Sequence, residues 1–231
     1  MIQLQHISKR FGKITVLDDI SFSLEKGGIF AVLGPNGSGK TTILKIILGM
    51  VLPQKGDVSI HESKILKSWD YRKEISYLPQ IARFPDNLTV TELIKMMNDL
   101  RNMPSREDEL IEMLGLQKFL DKKLGNLSGG TRQKVNIMLA FMFDSSILIL
   151  DEPTAGLDPV SLIRLKELIM ESKSKGKIIL ITTHILGLVE ALADEIIFLL
   201  EGNIHFRGSL DELNNKTGEK DLEHSIAALL E

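Results

Sequence analysis

The sequence predicts an α/β protein on a mostly parallel sheet, with an N-terminal antiparallel β subdomain and a helical subdomain inserted midway. Apolar runs of strand length recur at Ile29–Leu33, Ile147–Leu150, Ile178–Ile181 and Ile196–Leu200, and helix-patterned stretches separate the last three. No apolar run approaches the roughly 18 residues that a bilayer span needs. At 231 residues, 43% of them hydrophobic, the chain can bury a core without a disulfide or structural metal, and its lack of cysteine excludes disulfide scaffolds and cysteine-ligated zinc. Its formal charge of −3, from 28 Lys plus Arg against 31 Asp plus Glu, argues against a protein whose main task is gripping nucleic acid. The first twenty residues carry Lys9, Arg10, Lys13, Asp18 and Asp19 without an apolar stretch and cleavage site, so no export signal is expected.

Each element has its own local reason. The opening stretch alternates β-like runs, Ile2–Ile7, Ile14–Leu17 and Ile20–Leu24, with turn residues at Gly12, Asp18-Asp19 and Gly27-Gly28, the pattern of a small antiparallel sheet. Ile29–Leu33 then leads into a glycine-rich loop and a helical pattern from Lys40 to about Leu48, in the order buried strand, loop, helix. From about 86 to 143 the pattern is helical: Leu93, Met96, Met97 and Leu100 recur three and four apart, and Leu110, Ile111 and Leu114 form another set. Beyond it, strands alternate with helical stretches at about Pro159–Ser172 and Ile185–Ala193, as a parallel sheet requires. The tail, about 214–231, is polar until an apolar patch at Ile226–Leu230 and is assigned no role. No repeat or long linker interrupts the chain, which reads as a single domain over 1–231.

Gly34-Pro35-Asn36-Gly37-Ser38-Gly39-Lys40-Thr41 fits G-x-x-x-x-G-K-[ST], a loop whose backbone N–H groups curl around a phosphate. Lys40 would reach the β- and γ-phosphates, the Thr41 hydroxyl would ligate magnesium, and the helix that follows, through Thr42, aims its positive end at the same anion. These nine residues are the candidate binding set of a P-loop NTPase core. Asp151-Glu152 closes the apolar strand Ile147–Leu150, where ligands of open α/β sheets sit. Asp151 is the candidate outer partner of magnesium. Glu152 is the candidate that polarises an attacking water, although two solvated acids capping a strand is the plain reading of the pair taken alone.

Leu127-Ser128-Gly129-Gly130-Thr131-Arg132-Gln133, together with the P-loop and Ile-Leu-Asp-Glu-Pro, resembles the ATP-binding-cassette family over nearly the whole chain and in the same order. Taken alone, Ser128 is an N-cap with two glycines behind it, and such a sequence is usually a loop or cap. The resemblance implies that Ser128, Gly129, Gly130 and Thr131 serve the γ-phosphate of a second copy, ATP being sandwiched between two chains arranged head to tail. Gln80, in Tyr-Leu-Pro-Gln, resembles the family glutamine that contacts magnesium and the attacking water and reports occupancy to a membrane partner. His184 resembles the switch histidine that bridges γ-phosphate and the catalytic carboxylate; a lone histidine is more often a surface or core residue. Asp158 resembles the aspartate that crosses the dimer interface and also suits an N-cap before Pro159. Phe11 resembles the aromatic that stacks on adenine, usually tyrosine in the family, whereas a phenylalanine alone is more often core. Thr131 stands where glutamine is common, a change that keeps the backbone donors.

The resemblance therefore implies an ATP-hydrolysing, energy-coupling subunit of a transporter, of the kind found in bacterial exporters, with ATP and Mg2+ as its cofactors. One cassette and no span imply a separate transmembrane permease subunit, a homodimer formed on ATP binding, and a cytoplasmic location, peripheral on the membrane through the permease. Coupling is expected in a groove beside Gln80, near Arg83-Phe84-Pro85-Asp86-Asn87. The alternative is a soluble cassette ATPase acting on nucleic acid or ribosomes, but the second cassette, zinc cysteines or coiled coil usual in such relatives are missing here, and no nucleic acid partner is expected. A P-loop kinase or GTPase switch leaves Leu127–Thr131 and His184 unexplained.

Overall fold

The computed structural model describes residues 1–25, 27–65 and 69–230. Strands β1 (Ile2–Phe11) and β2 (Ile14–Leu24) pair antiparallel around Gly12-Lys13. Asp18-Asp19, expected as a turn, lies inside β2. His6 and Asp19 both take left-handed backbone, at φ 52° and 54°, where the register shifts between the Leu4/Phe22 and Ile7/Ile20 pairs. Their side chains meet at 2.8 Å, so the polar pair marks an irregularity in a continuous ladder rather than its end.

The wholly buried β3 (Gly28–Leu33) feeds the glycine loop and α1 (Lys40–Ile47). β4 (Lys55–Ile60) and β5 (Ser63–Lys64) complete an antiparallel sheet of order β2-β1-β4-β5. After β6 (Ile75–Leu78), the stretch expected to be helical carries α2 (Val90–Arg101), α3 (Glu107–Leu114) and α4 (Gly129–Phe141). Thr89 and Glu92 form a capping box that starts α2. The chain then runs through β7 (Ile147–Asp151), α5 (Pro159–Ser174), β8 (Ile178–Thr182), α6 (Leu186–Leu192), β9 (Glu195–Leu200) and β10 (Asn203–Gly208).

The second sheet has the order β10-β9-β3-β8-β7-β6 and is parallel apart from β10. Its register aligns Leu78 with Leu150, Asp151 with Thr182, and Thr182 with Val32. The carboxyl ends of β6, β7, β8 and β3 therefore share one edge, and the loops that leave them meet there. One apolar core joins the helical stretch to β7 and β8, and another fills the space between the two sheets and around α1. The tail is structured: α7 (Leu210–Thr217) packs on β10 and α8 (Leu222–Leu230), and α8 packs on α6, with Leu222 buried and its N–H bonded to Glu190 Oε1 at 3.2 Å. The apolar patch Ile226–Leu230 belongs to α8, and Ile226 and Leu229 pack against this third core.

Candidate active site

Two glycines of the loop have no substitute. Gly34 and Gly39 adopt φ of 143° and 106°; a Cβ at Gly34 would lie 2.1 Å from Leu199 O, and one at Gly39 would lie 2.5 Å from Leu17 Cδ2. The loop they permit wraps Lys40, whose Nζ donates to Gly34 O at 2.6 Å and Pro35 O at 2.9 Å. Lys40 is only 9% exposed; burial lowers its pKa, while Glu152 and Asp151 favour its charge. The Ser38 hydroxyl is buried without a hydrogen-bond partner among the described residues. A buried cation, an orphaned hydroxyl and a helix that opens at Gly39 without a side-chain cap make a cradle suited to phosphate.

The acids sit at the adjoining strand ends. Asp151 is 3% exposed and accepts a hydrogen bond from the Thr182 hydroxyl, its neighbour across the ladder. Glu152 takes a left-handed φ of 52°, rare for a side chain of this kind, and its N–H is held by Thr182 O at 3.0 Å. One Glu152 oxygen lies 3.1 Å from His184 Nε2, and the other accepts the His184 N–H at 3.3 Å. The backbone distortion and the histidine together fix the direction in which the carboxylate points.

A single cleft of about 370 Å³ gathers most of the residues singled out in the sequence: Phe11, Asn36, Gly37, Gly39, Lys40, Thr41, Thr42, Gln80, Asp151, Glu152 and His184. Gly34, Pro35 and Ser38 form the loop without lining the cleft. Phe11 is half exposed and shares the wall with Ile14 and Val16, so it is not a core residue. Lys9 Nζ lies 5.0 Å from its ring centre. Thr182 also lines the cleft and was missed; the available signal was its position at the end of the same apolar strand, two residues before His184. Gln80 faces both this cleft and a neighbouring groove of about 550 Å³ that includes Ile81, Arg83 and Phe84. Pro85, Asp86 and Asn87 do not line that groove.

Ser128, Gly129, Gly130, Thr131 and Asp158 are absent from the walls of the cleft. Ser128 caps α4, accepting the Thr131 N–H at 3.3 Å and sharing a 2.9 Å hydrogen bond with the Thr131 hydroxyl. Asp158 caps α5, accepting from Ser161 N–H at 2.9 Å and Ser161 Oγ at 2.8 Å, and it pairs with Lys134 Nζ at 2.9 Å. The backbone bond from Ser161, with Lys134 beside it, holds the Asp158 carboxyl well below the usual carboxylate range. These two groups of residues belong together: α4 packs so closely on the loop before α5 that a Cβ on Gly130 would stand 2.9 Å from Gly156 O. Gln133 ends the signature run but was given no role of its own, and Lys134 was missed because it reads as an ordinary polar position on a helix.

Comparison with known proteins agrees with this geometry. The model of the family described as ABC transporter matches residues 17–155, more than half of the chain. Lantibiotic transport ATP-binding protein SrtF of Streptococcus pyogenes is 34% identical over 220 residues, covering 93% of each chain. A similar stretch amounts to 13% of the much longer ATP-binding cassette sub-family A member 17 of Mus musculus, at 34% identity over 94% of this chain. Among solved structures, an ATP-binding subunit of an ABC transporter superposes with a TM-score of 0.94 at 29% identity, each chain fully covered. The dimeric post-hydrolysis cassette MJ0796, bound to ADP and Pi, superposes with a TM-score of 0.81 at 26% identity over 91% of this chain and 99% of that one. With its phosphate loop, strand-end acids and capped glycine helix in the family's order, the chain belongs to the ABC transporter family, as one of its ATP-hydrolysing cassettes.

Proposed function

We propose that this cassette powers a transporter whose membrane-crossing part is a separate polypeptide, and that it works as a head-to-tail pair of copies closing on ATP. One observation carries the reading: the cleft of a single chain holds the phosphate loop, Gln80, Asp151, Glu152 and His184, while the capped helix start at Ser128 faces elsewhere. That helix start is a second anion-binding end with no phosphate loop of its own, and a second copy supplies one. That a similar cassette bound to ADP and Pi is dimeric supports a two-copy assembly.

In this reading the whole chain, 1–231, acts as one domain, with 86–143 as its helical subdomain and 214–231 as its tail. Gly34, Pro35, Asn36, Gly37, Ser38, Gly39, Lys40, Thr41 and Thr42 hold the phosphates, and Phe11 stacks on the base. Among the described residues no group of three or more His, Asp or Glu is placed to cage a metal. Thr41, Gln80 and Asp151 instead suit Mg2+, which takes a few protein oxygens and completes its shell with phosphate and water. Bound there, Mg2+ would neutralise charge on the phosphates. Glu152 accepts a hydrogen bond from the attacking water, and His184 keeps that carboxylate aimed while contacting the γ-phosphate. Ser128, Gly129, Gly130 and Thr131 close on the γ-phosphate of the other copy, and Asp158 lies along the seam between the two.

No helix of the described residues is long and apolar enough to cross a membrane. We place the cassette on the cytoplasmic face of the membrane, held there by the permease, with the groove beside Gln80 as the coupling surface. Replacing Glu152 by Gln is expected to leave ATP affinity intact, to slow turnover by about 100- to 10,000-fold, and to trap an ATP-bound dimer. Gel filtration with ATP tests it. A fully loaded chain that elutes as a monomer contradicts the two-copy reading.

A further inference from the structure

Gln133 lies on α4, five positions beyond Ser128, yet it is only 7% exposed, uncommon for a side-chain amide. Its Nε2 donates to the carbonyl of Pro153 at 3.0 Å, and its Oε1 faces Asn136 Nδ2 at 3.5 Å. Pro153 directly follows Glu152. Having no N–H, a proline can be held through its main chain only at its carbonyl. The loop does little to hold itself: the Ala155 N–H reaches Glu152 O at 3.4 Å, and the Leu157 N–H reaches Thr154 O at 3.2 Å. Two further contacts come from the same helix, Gly130 against Gly156 and Lys134 against Asp158. Of the three, the Gln133 amide sits nearest the left-handed Glu152, a conformation that persists only where its surroundings determine it.

We infer that Gln133 is a positioning residue that ties the signature helix of each chain to the hydrolytic carboxylate of that same chain. The inference rests on the two-copy reading. Ser128 serves the nucleotide of the partner while Glu152 serves the chain's own, so this amide, of the three contacts the one next to Glu152 in the chain, joins the two composite sites of the dimer mechanically. Closure of α4 on the partner's phosphate is thereby felt at the residue next to Glu152.

Mixed dimers test the direction of action through their ATPase rates. A Lys40→Ala chain mixed with a Ser128→Arg chain retains one intact composite site and regains activity; failure of that control sinks the two-copy reading and this inference with it. Gln133→Met keeps the length of the side chain and removes the donor. Mixed with Ser128→Arg, it should recover to the level of the control pair, because the site that keeps a sound signature uses the other chain's Glu152. Mixed with Lys40→Ala, turnover should stay at least about tenfold lower, because the only intact phosphate loop is paired with the displaced Glu152. The reverse pattern, recovery with both, or recovery with neither overturns the assignment. Should Gln133→Met melt low, Gln133→Glu replaces it: its carboxyl donates to Pro153 O when protonated and repels it when ionised. Its kcat relative to the unmodified chain should then rise as pH falls from about 8 to about 6, with KM for ATP unchanged. A flat ratio overturns the proposal.

Discussion

Glu171, near the C-terminal end of α5, joins the core to the start of α3, and its removal has a consequence that depends on pH. Its two oxygens take both terminal nitrogens of Arg106, at 2.5 and 2.8 Å, and Lys175 approaches at 2.6 Å. The Arg106 hydrogen bonds, with Lys175 beside them, bring the carboxyl down from 4.5 to about 2. At about 1.4 kcal/mol per pKa unit that shift corresponds to about 3 kcal/mol of stability. The Glu171 side chain is 35% exposed, so screening reduces the expected figure to about 1–2 kcal/mol. The folded pKa lies below the unfolded one, so the stabilisation is complete above about 4.5 and fades as pH falls toward about 2. Glu171→Gln mimics the protonated acid at every pH. Urea unfolding of the two chains should therefore differ by about 1–2 kcal/mol at neutral pH and by less than half of that near pH 3. A difference that does not change with pH, or none at pH 7, refutes the electrostatic account of this contact.

Three other outcomes follow from the cleft and its cap. Gly39→Ala should lower Tm and abolish ATP binding, because its Cβ meets Leu17 and the Val16 carbonyl, whereas Gly37→Ala meets nothing within 4 Å and should cost only about 1 kcal/mol of backbone strain; melting curves of the two variants compare them. Phe11→Ala should weaken ATP binding about 5- to 10-fold at unchanged Tm and Phe11→Tyr should restore it, as read by titration with a fluorescent nucleotide. Thr131→Val removes the hydroxyl bonded to Ser128 and keeps the N–H, so ATP affinity of the single chain should hold while turnover falls a few-fold in a steady-state ATPase assay.

What could be read from the sequence was whatever the chain settles within a few residues of itself. The phosphate loop is such a case, since glycines at positive φ and a lysine at the helix start are local demands, and so are β3, β7 and β8, which are buried on both faces and written as unbroken apolar runs. Of the strands that went unread, β5, β6 and β10 lie at sheet edges, and β4 and β6 pair with β1 and β7, partners distant in the chain. Asp18-Asp19 misled for the same reason: a doublet of turn formers is absorbed into β2 only because His6 on the opposing strand distorts alongside it. The capping box of Ser209 and Glu212 that starts α7 went unread, and the docking of α8 depends on Leu222 finding α6.

The same distinction runs through the site itself. Asp151 and Glu152 are marked by residue type at a strand end beside a phosphate loop, His184 only by the family resemblance, and one cleft holds all three. Gln133 and Lys134 act through what they hold, a proline carbonyl and the Asp158 carboxylate, and residue type alone does not separate them from solvated helix positions. On the two-copy reading proposed above, a helix that contacts another chain's phosphate at its first turn cannot also move freely against the loop that orients its own carboxylate. Burying an amide between the two couples them by geometry, which explains why a polar side chain stands in the core at this point.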